Sequence, residues 1–180
     1  RLFRLGLTTK ERVDVGKTLG ADVPFFMSEA RHAIGRGRGD EIQPLPFKKR
    51  LWFVLVPGTR GLSTRDVYLG LRASKRPAGH GLSLTRVSHG VRMASAFLEK
   101  GSLSRAERFL VNDHQVSAER MRPSLRKRRE RLSRLHQRTC QMSGSGPTQF
   151  ILFPTRSSAL GARSILRRKS IRRILLCHSA

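Results

Sequence analysis

The sequence of this chain predicts an α+β fold. Three observations support this class: a well-capped helix near the beginning, two short apolar runs typical of buried strands, and long helical stretches between those runs. Of the 180 residues, 38% are hydrophobic, which is enough to form the core of one ordinary domain or of two small ones.

The first helix is predicted from its two ends. Thr8 and Glu11 have the spacing of a capping box, in which the threonine hydroxyl accepts a backbone amide and the glutamate reaches back. The helix should end at Gly20, a suitable C-terminal cap. Residues 25–34 and 42–47 are predicted to be extended, and the glycine-rich GRGRG between them is better explained as a hairpin turn than as a nucleotide-binding or RNA-binding segment.

Buried strands are predicted at two apolar runs. The run LWFVLV, residues 51–56, is stopped by a Pro-Gly pair, and QFILF, residues 149–153, directly follows a glycine-rich turn. The other predicted elements are a helix that starts at Ser63-Thr64, helical residues 84–99, helical residues 107–137 with a break at Pro123, a helix over 159–169 and a strand over 171–177.

A domain boundary is predicted in the middle of the chain. The stretch ASKRPAGHG, residues 73–81, is the best linker candidate because proline and glycine interrupt both helix and strand. We therefore predict two domains, residues 1–75 and residues 76–180.

The charge of the chain is strongly basic. Lys and Arg number 37 against 12 acidic residues, a net charge of +25, which favours nucleic acid, anionic membranes, nucleotides or phosphorylated metabolites as partners. The excess lies in the C-terminal half, with arginine runs at 120–138 and 163–173, and the run around 126–134 is predicted to be a solvated helix face. A basic nucleic-acid-binding module is therefore an alternative function, but it is not favoured because aromatic residues for base stacking make up only 6% of the chain.

The cysteines predict a reducing, cytoplasmic location. Cys140 and Cys177 lie far apart and lack metal-binding or redox spacing, so no disulfide framework is expected. The sequence shows no His/Cys/Asp cluster that would hold a metal, and no apolar run approaches the roughly 20 residues of a membrane span. We expect neither a protein-held metal nor a membrane partner, and the sequence does not indicate the oligomeric state.

A single carboxylate stands in an apolar segment. Asp22 lies in GADVPFF, where desolvating a charge is unfavourable unless the carboxylate is paired or has a function. Pro24 stiffens the backbone just after it, and Phe25 and Phe26 are expected to anchor the segment in a core. Helix capping or an ion pair is the structural alternative to a functional role for Asp22.

A second informative segment is MSGSGPT, residues 142–148, which precedes an apolar strand. Two glycines around a serine allow the backbone to approach a phosphate closely and to turn several amides towards it. The segment is not a Walker loop, because no Gly-Lys-Ser/Thr follows, and a plain tight turn is the alternative. Asn112 and Asp113 either cap a helix or face a site, and capping is favoured.

In their order along the chain, these segments resemble the GHMP kinase superfamily. The resemblance covers residues 1 to about 155 and is carried by LGADVPFF, GRGDEIQPLP, LWFVLVPGTRGLSTRDVYLGL, FLVNDHQ and MSGSGPTQFILF. Within the superfamily, the chain is similar to the kinases that act on cytidine-diphosphate methylerythritol in non-mevalonate isoprenoid biosynthesis. The resemblance implies ATP with Mg²⁺, and the end of a ribosomal-protein-S5-like N-terminal lobe followed by a ferredoxin-like C-terminal domain, with the active site between the lobes.

The resemblance also implies roles for individual residues. Asp22 corresponds to the carboxylate that lies beside the substrate hydroxyl and orients it or accepts its proton, as phosphoryl transfer requires. Thr64 matches a threonine that helps to shape the substrate side, with helix capping as an equal alternative. The segment that lies against the nucleotide phosphate loop, helps to close the active site and is expected to take part in cofactor binding consists of Ser143, Gly144, Ser145 and Gly146.

Two parts of the family pattern have no counterpart in this sequence. They are the glycine- and serine-rich loop that binds the ATP phosphates at a helix N-terminus, and a lysine near the family's N-terminus. We therefore expect the chain to be the C-terminal portion of a kinase, with little or no activity by itself. A noncatalytic relative that kept the fold is a further alternative.

Overall fold

The computed structural model describes residues 6–47, 49–73 and 84–179, together with their side chains except those of 72, 73 and 84–88. The chain divides into two compact units between residues 48 and 49, earlier than the boundary predicted at residue 75. The predicted linker at 73–81 lies almost wholly outside the described residues. In the described part of the chain, no helix combines the length and the apolar character needed to cross a membrane.

The N-terminal unit begins with the predicted capped helix, α1 (Thr9–Leu19). The Thr8 hydroxyl accepts the Glu11 amide at 3.3 Å, and the Glu11 carboxylate accepts the Thr8 amide at 2.8 Å, so both halves of the capping box are present. The amide of Gly20 donates to the carbonyl of Gly16 at the other end. The sequence prediction for this helix is confirmed.

A second helix, α2 (Val23–Met27), follows at once. The prediction that residues 25–27 are extended is therefore wrong. Pro24 lies in the first turn, where its fixed φ angle suits a helix and its missing amide is not needed. Close packing against α1 holds this short helix, since a Cβ added to Gly16 would lie 3.3 Å from the nitrogen of Pro24.

The N-terminal unit ends in a two-stranded hairpin of β1 (Ala33–Arg36) and β2 (Glu41–Pro44). In the turn between them Gly37 and Gly39 have φ angles of 62° and 102°, in the left-handed region that favours glycine. The GRGRG segment is thus the predicted hairpin turn.

The C-terminal unit is built on a four-stranded antiparallel sheet, whose strands are β3 (Trp52–Val56), β4 (Cys140–Met142), β5 (Gln149–Phe153) and β6 (Leu175–His178). Their order in the sheet is β4-β5-β3-β6. With helices between β3 and β4 and one helix between β5 and β6, the element order is that of a ferredoxin-like β-α-β-β-α-β fold. Because β3 is the first strand of this sheet, residues 49–73 belong to the C-terminal unit.

Helices begin at the predicted positions 64 and 84, whereas the helix predicted from residue 107 begins at Asp113 and the helix predicted from residue 159 begins at Arg156. The short helix Leu103–Ala106 was not predicted. The predicted break at Pro123 is the start of a helix, because proline suits the first helical turn. The last strand begins four residues later than predicted. The helices are α3 (Thr64–Ala73), α4 (Leu84–Glu99), α5 (Leu103–Ala106), a 3₁₀ turn (Glu107–Phe109), α6 (Asp113–Met121), α7 (Pro123–His136) and α8 (Arg156–Arg168).

Two hydrophobic clusters hold the C-terminal unit together. The larger one packs α7 and α8 on the sheet, with Leu132 and Leu166 fully buried against central strand residues such as Ile151. The smaller one joins α3, α6, α7 and the end of β4 beneath the loop that follows β4. Its members are Val67, Ala118, Leu125 and Met142.

Candidate active site

The loop between β4 and β5 contains the Ser-Gly-Ser-Gly segment. It is closed by two backbone hydrogen bonds, from the Ser143 amide to the Thr148 carbonyl and from the Gly146 amide to the Ser143 carbonyl, both at 2.9 Å. Gly144 and Gly146 have φ angles of 53° and 84°, so both need the left-handed conformation that glycine adopts readily. The loop is a tight turn, which was the structural alternative for this segment.

The same turn leaves hydrogen-bond donors available. In the described part of the chain, the amides of Gly144 and Ser145 donate to no other group. Ser143 and Gly144 are exposed, and Ser145 is half-buried. Consecutive free amides with nearby hydroxyls form a small anion-binding concavity, so the geometry suits a phosphate oxygen.

Asn112 holds this loop in place. Its Nδ2 donates to the carbonyls of Met142 at 2.7 Å and Gly144 at 2.8 Å. Its Oδ1 accepts the amide of His114 at 3.0 Å and so caps α6. The predicted capping role is therefore present, and the same side chain also holds the Ser-Gly-Ser-Gly loop.

Thr64 contacts the loop from the other side. Its Oγ1 lies 3.0 Å from the Oγ of Ser145. The hydroxyl that accepts the amide of Asp66, at 3.2 Å in the first turn of α3, belongs to Ser63. Helix capping at this position is thus the work of Ser63, which leaves the Thr64 hydroxyl at the Ser-Gly-Ser-Gly loop.

Arg128 is a further residue of this site that the sequence analysis missed. From α7 its Nε donates to the side chain of Gln149 at 2.7 Å and its Nη1 to the carbonyl of Pro57 at 3.1 Å, while Nη2 donates to the carbonyl of Pro147. Burial lowers the pKa of this guanidinium. The residue lies in the arginine run predicted to be a solvated face, so no sequence signal distinguished it.

The loop of residues 57–63, which precedes α3, packs against the Ser-Gly-Ser-Gly loop. A Cβ added to Gly58 would clash with Pro147, so the two loops approach each other closely. Arg122 donates from Nη1 to the carbonyl of Arg60 at 2.7 Å and from Nη2 to that of Gly61 at 3.0 Å. Two arginines therefore hold the loop of residues 57–63 beside the Ser-Gly-Ser-Gly loop.

An aromatic ring stands one helical turn after Thr64. Tyr68 is 49% exposed, although its ring centroid lies 4.4 Å from that of His114. Side chains four residues apart share one face of a helix, so Thr64 and Tyr68 lie on the same face of α3.

Asp22 belongs to the N-terminal unit, at the residue before α2. Its side chain is exposed and makes no capping hydrogen bond, and within the described residues it forms no ion pair. Neither structural alternative, capping or ion pairing, is realised there. Pro24 is buried as expected, but Phe26 is 76% exposed, so the expectation that both phenylalanines anchor the segment in a core is wrong for Phe26.

The comparison with protein families decides the relationship. Residues 93–172 match the family model described as GHMP kinases C terminal. The chain carries a GHMP kinase C-terminal domain. The matched region includes Asn112 and the Ser-Gly-Ser-Gly loop to which it donates hydrogen bonds.

Curated relatives of this GHMP kinase chain are named 4-diphosphocytidyl-2-C-methyl-D-erythritol kinase. The protein from Syntrophus aciditrophicus is 32% identical over 166 residues, which cover 92% of this chain and 54% of the relative. The protein from Moorella thermoacetica is 36% identical over 149 residues, which cover 83% of this chain and 50% of the relative. The chain thus spans about half the length of these curated relatives.

Solved structures agree with this relationship. A crystal structure of 4-(cytidine 5'-diphospho)-2C-methyl-D-erythritol kinase matches the GHMP kinase chain with a TM-score of 0.71 at 26% identity, over 98% of this chain and 59% of that one. The L. major mevalonate kinase, solved with R-mevalonate, has a TM-score of 0.65 at 19% identity, over 99% and 60% of the two chains. The second likeness shows a common fold.

Proposed function

We propose that this GHMP kinase chain is part of an ATP-dependent kinase that phosphorylates the 2-hydroxyl of 4-diphosphocytidyl-2-C-methyl-D-erythritol in non-mevalonate isoprenoid biosynthesis. The observation that carries the proposal is the Ser-Gly-Ser-Gly loop, which Asn112 and Thr64 hold with two of its amides free. The names of the curated relatives support this substrate.

In this proposal the Ser-Gly-Ser-Gly loop binds the nucleotide phosphates. The amides of Gly144 and Ser145 and the hydroxyls of Ser143 and Ser145 would donate to phosphate oxygens, which carry the negative charge of the transferring group. Among the described residues, no three His, Cys, Asp or Glu side chains gather as a metal site. Mg²⁺ is proposed to arrive with the nucleotide, because proteins commonly hold that ion through substrate phosphates and one or two carboxylates.

Asp22 is proposed to act on the substrate hydroxyl. Phosphoryl transfer needs little covalent help from the protein, but the attacking hydroxyl must be aimed and its proton accepted. An exposed carboxylate that is used neither as a helix cap nor in an ion pair is suited to this role. The unit that carries it, ending at residue 48, is proposed to be the remainder of the N-terminal lobe.

The face of α3 that carries Thr64 is proposed to meet the cytidine part of the substrate. The half-exposed ring of Tyr68 offers a flat apolar surface on which a pyrimidine base can stack. The Thr64 hydroxyl, next to Ser145, would bring this surface and the phosphate-binding loop into one site.

The direct test is phosphoryl transfer in a chimera. An N-terminal portion of the Moorella thermoacetica kinase is joined to the 180-residue chain, and transfer of the γ-phosphate of ATP to 4-diphosphocytidyl-2-C-methyl-D-erythritol is measured. We expect turnover in the chimera and a loss of kcat of about 100-fold or more in Asp22→Asn, as for removal of a general base.

A matched carboxylate serves as the control. Asp14 lies in the same unit, is exposed, and contacts Lys17 at 2.8 Å, so Asp14→Asn should leave kcat within about twofold, because an exposed pair contributes little. A chimera that folds, binds ATP and turns over mevalonate or homoserine instead would reject the proposed substrate. Equal rates in Asp22→Asn and the unsubstituted chimera would reject the role of Asp22.

A further inference from the structure

A basic cleft lies at the opposite end of β4 from the Ser-Gly-Ser-Gly loop. It has a volume of about 600 Å³ and lies among the 3₁₀ turn, the C-terminal half of α7 and residues 139–141. The Ser-Gly-Ser-Gly loop follows Met142, at the other end of the strand. The cleft is therefore separate from the proposed nucleotide site, and nothing in the proposed kinase reaction uses it.

The charges of the cleft are unbalanced. Of its four arginines, Arg138 pairs with Glu107, and Arg129 pairs with Glu119. These two carboxylates are nearly buried and are already used. Among the described residues, no carboxylate lies within ion-pair distance of the other two arginines, Arg108 and Arg134.

The two remaining guanidiniums are well suited to a phosphate. Arg108 comes from the 3₁₀ turn and Arg134 from α7, and both are exposed at the cleft. The planar guanidinium matches two oxygens of a phosphate, and here two such groups from different elements line one cleft. The hydroxyls of Ser104 and Thr139 line the same cleft.

A residue that lines the cleft also carries an acceptor for which the described residues provide no partner. Gln141 lines the cleft, and its Nε2 donates to the carbonyl of Leu110 at 2.8 Å. Its Oε1 is buried and, among the described residues, has no hydrogen-bond partner. A buried acceptor of this kind is stabilised by any donor that reaches it, and the hydroxyl of a ligand is such a donor.

We propose that this cleft is a second binding site, for a phosphorylated small molecule that carries hydroxyl groups, such as a sugar phosphate. Arg108 and Arg134 bind the phosphate, and Gln141 accepts a hydroxyl of the ligand. The site does not depend on the kinase assignment, since it is built only from residues of the C-terminal unit.

The test is a binding titration of the 180-residue chain with ribose 5-phosphate and with inorganic phosphate. We expect ribose 5-phosphate to bind more tightly, and the double variant Arg108→Ala/Arg134→Ala to weaken its binding by about 10-fold or more, because charge-assisted bonds are lost. Arg120→Ala/Arg167→Ala removes the same charge at exposed positions outside the cleft and should leave the affinity within about twofold.

Two outcomes would overturn the proposal. One is an equal loss of affinity in both double variants, which would show that binding follows net charge alone. The other is a set of NMR shifts, on adding ribose 5-phosphate, at the amides of Gly144 and Ser145 with none at the Gln141 side chain. Arg108→Lys/Arg134→Lys keeps the charge and should recover part of the affinity, and thermal unfolding of each variant checks that the chain is folded.

Discussion

The hydroxyl oxygens of Thr64 and Ser145 lie 3.0 Å apart although 81 positions separate the two residues in the chain. This hydrogen bond joins the first residue of α3 to the centre of the loop between β4 and β5. It connects the two segments that the sequence analysis assigned to the substrate and to the nucleotide. The relative position of these segments in the C-terminal unit therefore depends partly on one pair of hydroxyls.

Replacing Thr64 by valine should weaken nucleotide binding without removing the helix cap. The shape is kept and one neutral hydrogen bond is lost, so we expect Thr64→Val in the chimera to weaken MgADP binding by about 3- to 10-fold. Ser63→Ala removes the cap instead and should lower the free energy of unfolding by about 1 kcal/mol with little effect on binding. Calorimetric titration and urea unfolding distinguish the two, and identical behaviour would contradict the assigned roles.

Asn112→Asp separates the two functions of this side chain. An aspartate can still accept the amide of His114 and cap α6, but it cannot donate to the carbonyls of Met142 and Gly144. We expect the free energy of unfolding to fall by about 1–3 kcal/mol, because two carbonyls, one of them partly buried, lose their donor and face a negative charge. Asn112→Ala loses the cap as well. If Asn112→Asp unfolded in urea with the same free energy as the unsubstituted chain, the two hydrogen bonds from Asn112 to the loop would not be needed for stability.

Arg128→Lys tests whether stability requires the three hydrogen bonds that the guanidinium donates. Lysine keeps the charge but cannot reach Gln149, Pro57 and Pro147 together, so a loss of about 2 kcal/mol in the free energy of unfolding is expected. Arg126→Lys is the matched control on the same helix, because its pair with Glu130 is exposed, and it should change stability by less than about 0.5 kcal/mol. Similar losses in the two variants would refute this role of Arg128.

The two glycines of the loop should respond differently to alanine. At Gly144 the φ angle of 53° is the sole obstacle, since nothing lies within 4 Å of an added Cβ, and a loss of about 1 kcal/mol is expected. At Gly146 an added Cβ would also lie 2.6 Å from the Sδ of Met142, so about 2–3 kcal/mol is expected. Thermal unfolding of Gly144→Ala and Gly146→Ala shows which variant loses more stability. A larger loss for Gly144→Ala would contradict the loop geometry.

The stability of the chain should fall in alkaline solution through Cys140. Burial raises the pKa of this thiol from 9.0 to about 12. The folded state therefore holds a proton that the unfolded state loses above pH 9, and the stabilisation present below that pH decreases up to about pH 12. The contribution to the slope should approach about 1.4 kcal/mol per pH unit.

The comparison of Cys140→Ala with the unsubstituted chain isolates this contribution. Urea unfolding between pH 8 and 11 should show a smaller decrease for Cys140→Ala, while Cys177→Ala, at an exposed strand position, should keep most of the unsubstituted slope. Parallel curves for Cys140→Ala and the unsubstituted chain would exclude the thiol as the cause.

Local chemistry made several elements predictable from the sequence. The capping box of α1, the glycine turn of the hairpin and the apolar run of β3 depend on neighbours within a few residues, and all three are present. The prediction failed at α2, where apolar residues after Pro24 suggested an extended segment. Packing against Gly16 of the preceding helix favours a short helix instead.

The sequence by itself also determined the family, because the order of its motifs is a property of the chain, and it named the loop at 143–146 and Thr64. Only the tertiary structure decided what these residues contact. The partner of Thr64 is 81 positions away, and Arg128 joins carbonyls 71 and 19 positions away. Such contacts follow from how helices and strands pack, and no local pattern of residues encodes that packing.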